Sequence, residues 1–268
     1  MNTLERLAKT ADENKTILCF GVDPDIGRMT KEPEEEQTEE LINEYFQEII
    51  ETLLEENAIA AIKPNYAFFA QYGFDGLNAL QHLIEDFKED VPIILDVKRG
   101  DIGKTSEAYA KEAYDFWGAD AATISPYMGE DSVKPFLREN KLAYLLCRTS
   151  NKGAKDFQEL KCGEKYLYEK VLEKAMEWKC GIVVGATSDA IKSIVKTTKG
   201  EVPMLIPGIG AQGGDLEMVM EAVKNNPGIH RINASSSIAY AHEKQGGAPP
   251  EAALKEAEKL NDTIAKYF

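Results

Sequence analysis

A chain of 268 residues is the size of one large α/β barrel and long for a single sandwich or an uninterrupted doubly wound sheet. Its 46 acidic against 31 basic residues give a formal charge of −15. That field repels nucleic acid and anionic membrane surfaces, so an anionic small substrate has to be held by a few focused cations inside a pocket.

Apolar residues make up 43% of the chain, enough for a substantial core, so an intrinsically disordered chain is not expected. No apolar run approaches the ~20 residues that span a bilayer, and the N-terminal stretch MNTLERLAKTADENKT has no signal-peptide core, which predicts a cytoplasmic protein. The cysteines Cys19, Cys147, Cys162 and Cys180 form no C-x-x-C pair and read as buried free thiols.

Short apolar runs, of the kind that form buried parallel strands, alternate with longer amphipathic stretches. In chain order the predicted strands are 16–22, 59–63, 93–98, 121–124, 143–147, 182–184, 204–206 and 229–233. The helix-like stretches that follow them are 38–57, 76–88, 104–117, 131–139, 164–178, 189–196, 215–224 and 250–267. The acidic run 31–40 reads as a solvated lead-in to the first of these helices. Eight βα pairs with no long linker predict one (β/α)8 TIM barrel domain over 1–268, with function at the carboxyl ends of the strands. Polar residues gather there: Asp23, Lys63, Asp96 with Lys98, Ser125, Thr149 with Ser150, 208–212 and 235–237.

In the third strand, the two-residue period puts Asp96 and Lys98 on one face, about 6.5 Å apart along the chain. Burying such charges is costly unless they are paired, and Lys63 at the end of the second strand is the natural third member. Asp101 follows beyond Gly100, which permits a tight turn. From these residues alone, a buried ion-pair cluster and a catalytic group are both open readings. His82, His230 and His242 show no H-x-x-x-H spacing and read as structural.

Four segments, CFGVDP from Cys19, KPNYAFF from Lys63, DVKRGDIGKTSEAY from Asp96 and PGIGAQGG from Pro207, together resemble the orotidine 5'-phosphate decarboxylases, and more closely their longer bacterial type. The resemblance runs in order over nearly the whole chain. It implies decarboxylation of orotidine 5'-monophosphate to UMP without metal or organic cofactor. It also implies a charged network of Lys63, Asp96 and Lys98, with Lys98 as proton donor. Asp101 and Thr105 would reach across a homodimer interface, Asp23 would bind ribose hydroxyls, Ser150 would contact the pyrimidine, and Gln212 would lie over the 5'-phosphate.

The loop after the eighth strand departs from that pattern. Ser236 stands where the family usually carries a phosphate-binding arginine, and serine with backbone N–H groups can bind phosphate but gives no bidentate charged contact. Arg99, Lys104 and Arg148 are the cations that the sequence offers as substitutes. Two other readings stay open. Metal-dependent decarboxylases and aldolases of sugar phosphates share the D-x-K-x-x-D segment but place an acidic metal ligand where this chain has Lys63. A catalytically silent nucleotide-binding barrel would account for the missing arginine but not for four retained charges.

Overall fold

The structure is a computed structural model and describes residues 1–29, 38–187, 189–209 and 215–268. The strands of the barrel are β1 (Leu18–Val22), β2 (Ala61–Pro64), β3 (Ile94–Arg99), β4 (Ala121–Ile124), β5 (Leu142–Arg148), β6 (Gly181–Val184), β7 (Met204–Pro207) and β8 (Arg231–Ala234). All neighbouring pairs are parallel, in the order β2-β1-β8-β7-β6-β5-β4-β3. The isolated parallel bridges Ile62↔Ile93 and Asn65↔Asp96 join the two ends and close the ring. This is the expected (β/α)8 barrel.

The strand period divides the apolar residues between two packing layers. In β1, Leu18, Phe20 and Val22 face outward to the large core beneath the helices, whereas Cys19 joins Ala61, Ile94, Tyr144, Val183 and Leu205 in the barrel interior. The outer helices bury amphipathic stripes. They include α2 (Thr38–Glu55), with Ile42, Phe46, Ile49, Ile50 and Leu53 buried, and α3 (Gly73–Phe87), with Leu80, Leu83 and Ile84 buried.

Four expectations change at the level of local structure. The first helix, α1 (Thr3–Asn14), was not among the predicted elements; Asn2 and Glu5 form a capping box that starts it. It lies against the amino-terminal end of the barrel, where Leu7 enters the interior cluster and Arg6 binds Asp120 at 2.8 Å. The helix expected over 131–139 is only a turn, Glu130–Val133, followed by a 3-10 turn Lys134–Phe136, because Pro135 lacks the N–H needed to continue. The stretch 104–117 begins as an α-helix, Gly103–Lys111, and widens to a π-helix over Glu112–Phe116. The stretch from 164 opens as a two-residue hairpin, Lys161–Cys162 with Lys165–Tyr166, before its helix Leu167–Glu177. Cys19, Cys147 and Cys180 are buried free thiols as expected, whereas Cys162, on that hairpin, is exposed.

The amino-terminal end of the barrel is sealed by fully buried Arg231, which donates to the carbonyls of Leu7, Ala60, Gly228 and His230. His230 beside it accepts from the Met204 N–H through Nδ1 at 3.1 Å. Burial, together with the neighbouring Arg231, lowers the His230 pKa from 6.5 to about 3. A group whose pKa is depressed on folding contributes stability above its unfolded pKa and loses it as the pH falls. We therefore expect urea stability to fall between pH 6.5 and about 3, at up to about 1.4 kcal/mol per pH unit from this residue. His230→Asn, which keeps an acceptor for Met204, should flatten that slope. An unchanged slope would show that His230 is not the group responsible.

Candidate active site

The carboxyl ends of the strands surround a cleft of about 480 Å³, within the range usual for small-molecule sites. Asp23 after β1, Lys63 on β2, Asp96 and Lys98 on β3, Ser150 after β5 and Ser236 after β8 all line it. One close approach makes this mouth possible. A Cβ on Gly21 would sit 1.9 Å from Ser235 Oγ, so glycine is what lets the loop after β8 fold over β1.

At the base of the cleft, the Asp96 carboxylate lies between two ammonium groups. Lys63 Nζ donates to Oδ2 at 3.0 Å and Lys98 Nζ to Oδ1 at 2.6 Å. Thr123 Oγ1 also donates to Oδ1, at 2.8 Å, and accepts the Lys98 backbone N–H at 3.0 Å. The two lysines differ in burial: the Lys63 side chain is 5% exposed and that of Lys98 is 51%. Burial by itself would lower the Lys63 pKa, but Asp96 and Asp23 outweigh it and raise it. For Asp96, burial works to raise the pKa, and the two lysines overcome it and hold the carboxyl well below the usual carboxylate range.

The route by which Lys98 reaches Asp96 differs from the flat strand expected. Its backbone is in the left-handed region at φ 46°, and the β3–β4 register shifts between Leu95 and Arg99. Such a conformation in a non-glycine residue costs on the order of 1–3 kcal/mol. Here the hydrogen bonds to Asp96 and Thr123 hold it, and the ammonium is turned toward the cleft rather than placed there by strand alternation.

The remaining candidates divide. Asp101 and Thr105 do not line the cleft of their own chain, and Asp101 Oδ1 accepts from the Ile102 N–H at 2.8 Å. Gln212 lies outside the described residues. The three substitute cations do not serve this cleft. Arg99 pairs with Glu112 at 2.7 Å between the rings of Tyr66 and Tyr109, Arg148 pairs with Glu159 at 2.6 Å in an adjacent cavity, and Lys104 is exposed and away from the lining.

Several polar wall residues carried no assigned role in the sequence. Thr123 is the single polar residue in β4 (AATI), which was the available signal; Asn65 and Asn233 stand at the ends of β2 and β8. Asp23 Oδ1, Asn233 Oδ1 and Ser237 Oγ are buried with no hydrogen-bond partner among the described residues. Buried polar atoms left unpaired in a cleft are suited to a polar ligand.

A model of the orotidine 5'-phosphate decarboxylase / HUMPS family matches residues 16–249. The chain belongs to this family. A Herpetosiphon aurantiacus protein named orotidine 5'-phosphate decarboxylase is 40% identical over 263 residues, covering 95% of each chain. One of the same name from a Janthinobacterium species is 39% identical and covers 100% of both. The solved structure of Leishmania donovani OMP decarboxylase superposes with a TM-score of 0.82 at 35% identity, covering 98% of this chain and 99% of that one. A Plasmodium yoelii structure described as a putative orotidine-monophosphate decarboxylase gives 0.85 at 26% identity, covering 99% of both chains.

The unequal burial of the two lysines has a measurable consequence. Asp96→Ala strands the buried Lys63 ammonium and should lower unfolding free energy by about 3 kcal/mol, whereas Lys98→Met, at a half-exposed position, should cost less than about 1 kcal/mol. Urea titration of both variants checks this. Equal losses would mean that burial does not set the energetics of the cluster.

Proposed function

We propose that the chain decarboxylates orotidine 5'-monophosphate to UMP and CO2 as the last step of de novo pyrimidine nucleotide synthesis. The observation that carries this reading is the Asp96 carboxylate held between Lys63 and Lys98 at the base of the cleft.

Heterolysis of the bond between C6 and the carboxyl carbon leaves an electron pair on C6, where no carbonyl is placed to delocalise it. An ammonium fixed beside C6 stabilises that charge with no reorganisation during the step. The Lys98 Nζ then gives a proton to C6, forming the C–H bond of UMP as CO2 departs, and regains one from water. Asp96 holds Lys98 by the 2.6 Å hydrogen bond and lies near the departing carboxylate, whose charge it disfavours in the ground state. The unpaired Oδ1 of Asp23 is an acceptor for ribose hydroxyls, and Ser150 on the cleft wall contacts the pyrimidine. The role of Gln212 over the 5'-phosphate rests on the family resemblance alone. Binding energy from the ribose and phosphate drives the carboxylate against Asp96.

The metal-dependent reading fits the cluster less well. A divalent cation at Asp96 would displace two ammonium groups and sit beside the charge of Lys63. No helix among the described residues is long and apolar enough to cross a membrane, and the cytoplasm, where nucleotide synthesis draws its precursors, is the compartment proposed.

The functional unit we propose is a homodimer. Asp101 and Thr105 do not line the cleft of their own chain, and the half-exposed Lys98 is accessible to a carboxylate from outside. The loops after β3 and β4 present Ile102, Tyr127 and Met128 at 50%, 84% and 47% exposure, an apolar surface for a second copy of the chain. In the assembly, Asp101 and Thr105 of each chain complete the neighbouring site.

Orotidine 5'-monophosphate turnover, followed by pyrimidine absorbance in EDTA, tests the reaction. The parent should remain active, and Lys98→Ala should lose at least about a hundredfold in kcat. No turnover by the parent would sink the assignment and leave the silent binder. For the dimer, mixing inactive Lys98→Ala with inactive Asp101→Asn should restore about a quarter of parental activity, because each mixed dimer carries one intact site. A mixture that stays inactive after subunit exchange would exclude shared sites.

A further inference from the structure

Ser236 and Ser237 form a wall common to two cavities. On one side is the cleft with Lys63, Asp96 and Lys98; on the other is a chamber of about 320 Å³ whose lining includes Arg28, Tyr240, Lys244 and Glu256. The serine side chains are short, and Ser237 Oγ is buried in this wall with no hydrogen-bond partner among the described residues. A ligand group that reaches Ser236 is therefore separated from the chamber by little more than two hydroxyls.

A phosphate monoester brings about −1.5 to −2 charges and needs charge-assisted donors. Both described cations of the main cleft are committed to Asp96, so the countercharge has to come from elsewhere. In the chamber, Arg28 is already neutralised: its Nε and Nη2 donate to Glu243 at 2.8 and 2.5 Å, and its guanidinium lies 3.9 Å over the Tyr240 ring. Tyr240 in turn is fixed by donating to the Asp23 carbonyl at 2.9 Å and accepting from the Asp25 N–H at 2.8 Å. Glu256 is occupied by Gln245 at 2.9 Å and Lys259 at 2.8 Å. Lys244 is the chamber cation that makes no ion pair among the described residues, and its flexible stem leaves the ammonium free to swing toward the serine wall.

We propose that Lys244 supplies the countercharge for the 5'-phosphate, which binds against Ser236 and Ser237 at the junction of the two cavities. This assignment rests on the orotidylate reading of the cleft and adds the residue that does the work of the absent arginine. It makes recognition of the phosphate a property of the segment after β8 rather than of the loops after β3 and β5.

Calorimetry with UMP and with uridine, alongside turnover, tests the assignment and separates it from the reaction itself. Lys244→Ala should weaken UMP binding and kcat/KM by roughly 10- to 100-fold while uridine binding stays unchanged. Lys244→Arg should retain most of the affinity. In a Ser236→Arg background, which puts a guanidinium into the wall, Lys244→Ala should cost little. If parent and Lys244→Ala bind UMP equally, the assignment is overturned even though turnover persists; a selective loss of UMP affinity in Arg28→Ala instead would transfer the role to Arg28. If the parent fails to turn over but its preference for UMP over uridine still depends on Lys244, the phosphate site stands and the decarboxylase reading fails.

Discussion

The Asp96 carboxylate, held between two ammonium groups at the carboxyl end of the barrel, is the constraint on which the rest of the site depends. Neither charge could be buried alone: an unpaired Lys63 would shed its proton, and an unpaired Asp96 would take one up. The barrel resolves this by bringing β2 and β3 side by side through the closing bridges at Ile62 and Asn65, so that residues 33 positions apart meet at 3.0 Å. Once Asp96 is charged and immobile, Lys98 acquires a fixed direction. The positive φ of Lys98 and the shifted β3–β4 register are the local costs of that direction, offset by hydrogen bonds from Lys98 to Asp96 and Thr123.

The same arrangement explains how a strongly acidic protein can hold an anionic nucleotide. The net charge of −15 works against the encounter, so attraction has to be local and shielded by low-dielectric walls. The site divides the labour by position. On the proposed reading, the buried Lys63 keeps Asp96 ionised, the half-exposed Lys98 faces the reacting carbon, and the phosphate lies at the far wall near Ser236, where the second chamber brings Lys244. Separation of the two ends matters, because a phosphate drawn toward Lys98 would put the wrong group over the ammonium proposed to protonate C6.

Much of this was legible in the chain. The strands stood out because parallel barrel strands are buried on both faces and read as short apolar runs, and the charged residues stood out because they interrupt those runs at their carboxyl ends. Lys63, Asp96 and Lys98 were found this way and meet as expected. What sequence pattern could not give was anything set by a partner far along the chain. Thr123 looks like an ordinary strand residue until β4 pairs with β3. Helix α1 buries only Thr3, Leu7 and Ala11 and acquires its purpose from the open end of the barrel. The chamber behind Ser236 depends on Arg28 and Lys244, which are 216 positions apart. Arg99 and Arg148 looked available for phosphate in the sequence, whereas in the fold each is claimed by a nearby glutamate.

The central claim is that the Lys98 ammonium, held by Asp96, delivers the proton to C6, and reversal of that step exposes it most directly. In D2O the hydrogen at C6 of UMP should exchange for deuterium at the enzyme, because the group that protonates C6 in one direction must remove the proton in the other. NMR of UMP incubated with the parent should show slow deuterium incorporation at C6. With Lys98→Ala it should show none above the solvent background, and with Asp96→Asn a strong reduction. Exchange at the parental rate in Lys98→Ala would contradict the claim and require a different acid at the site.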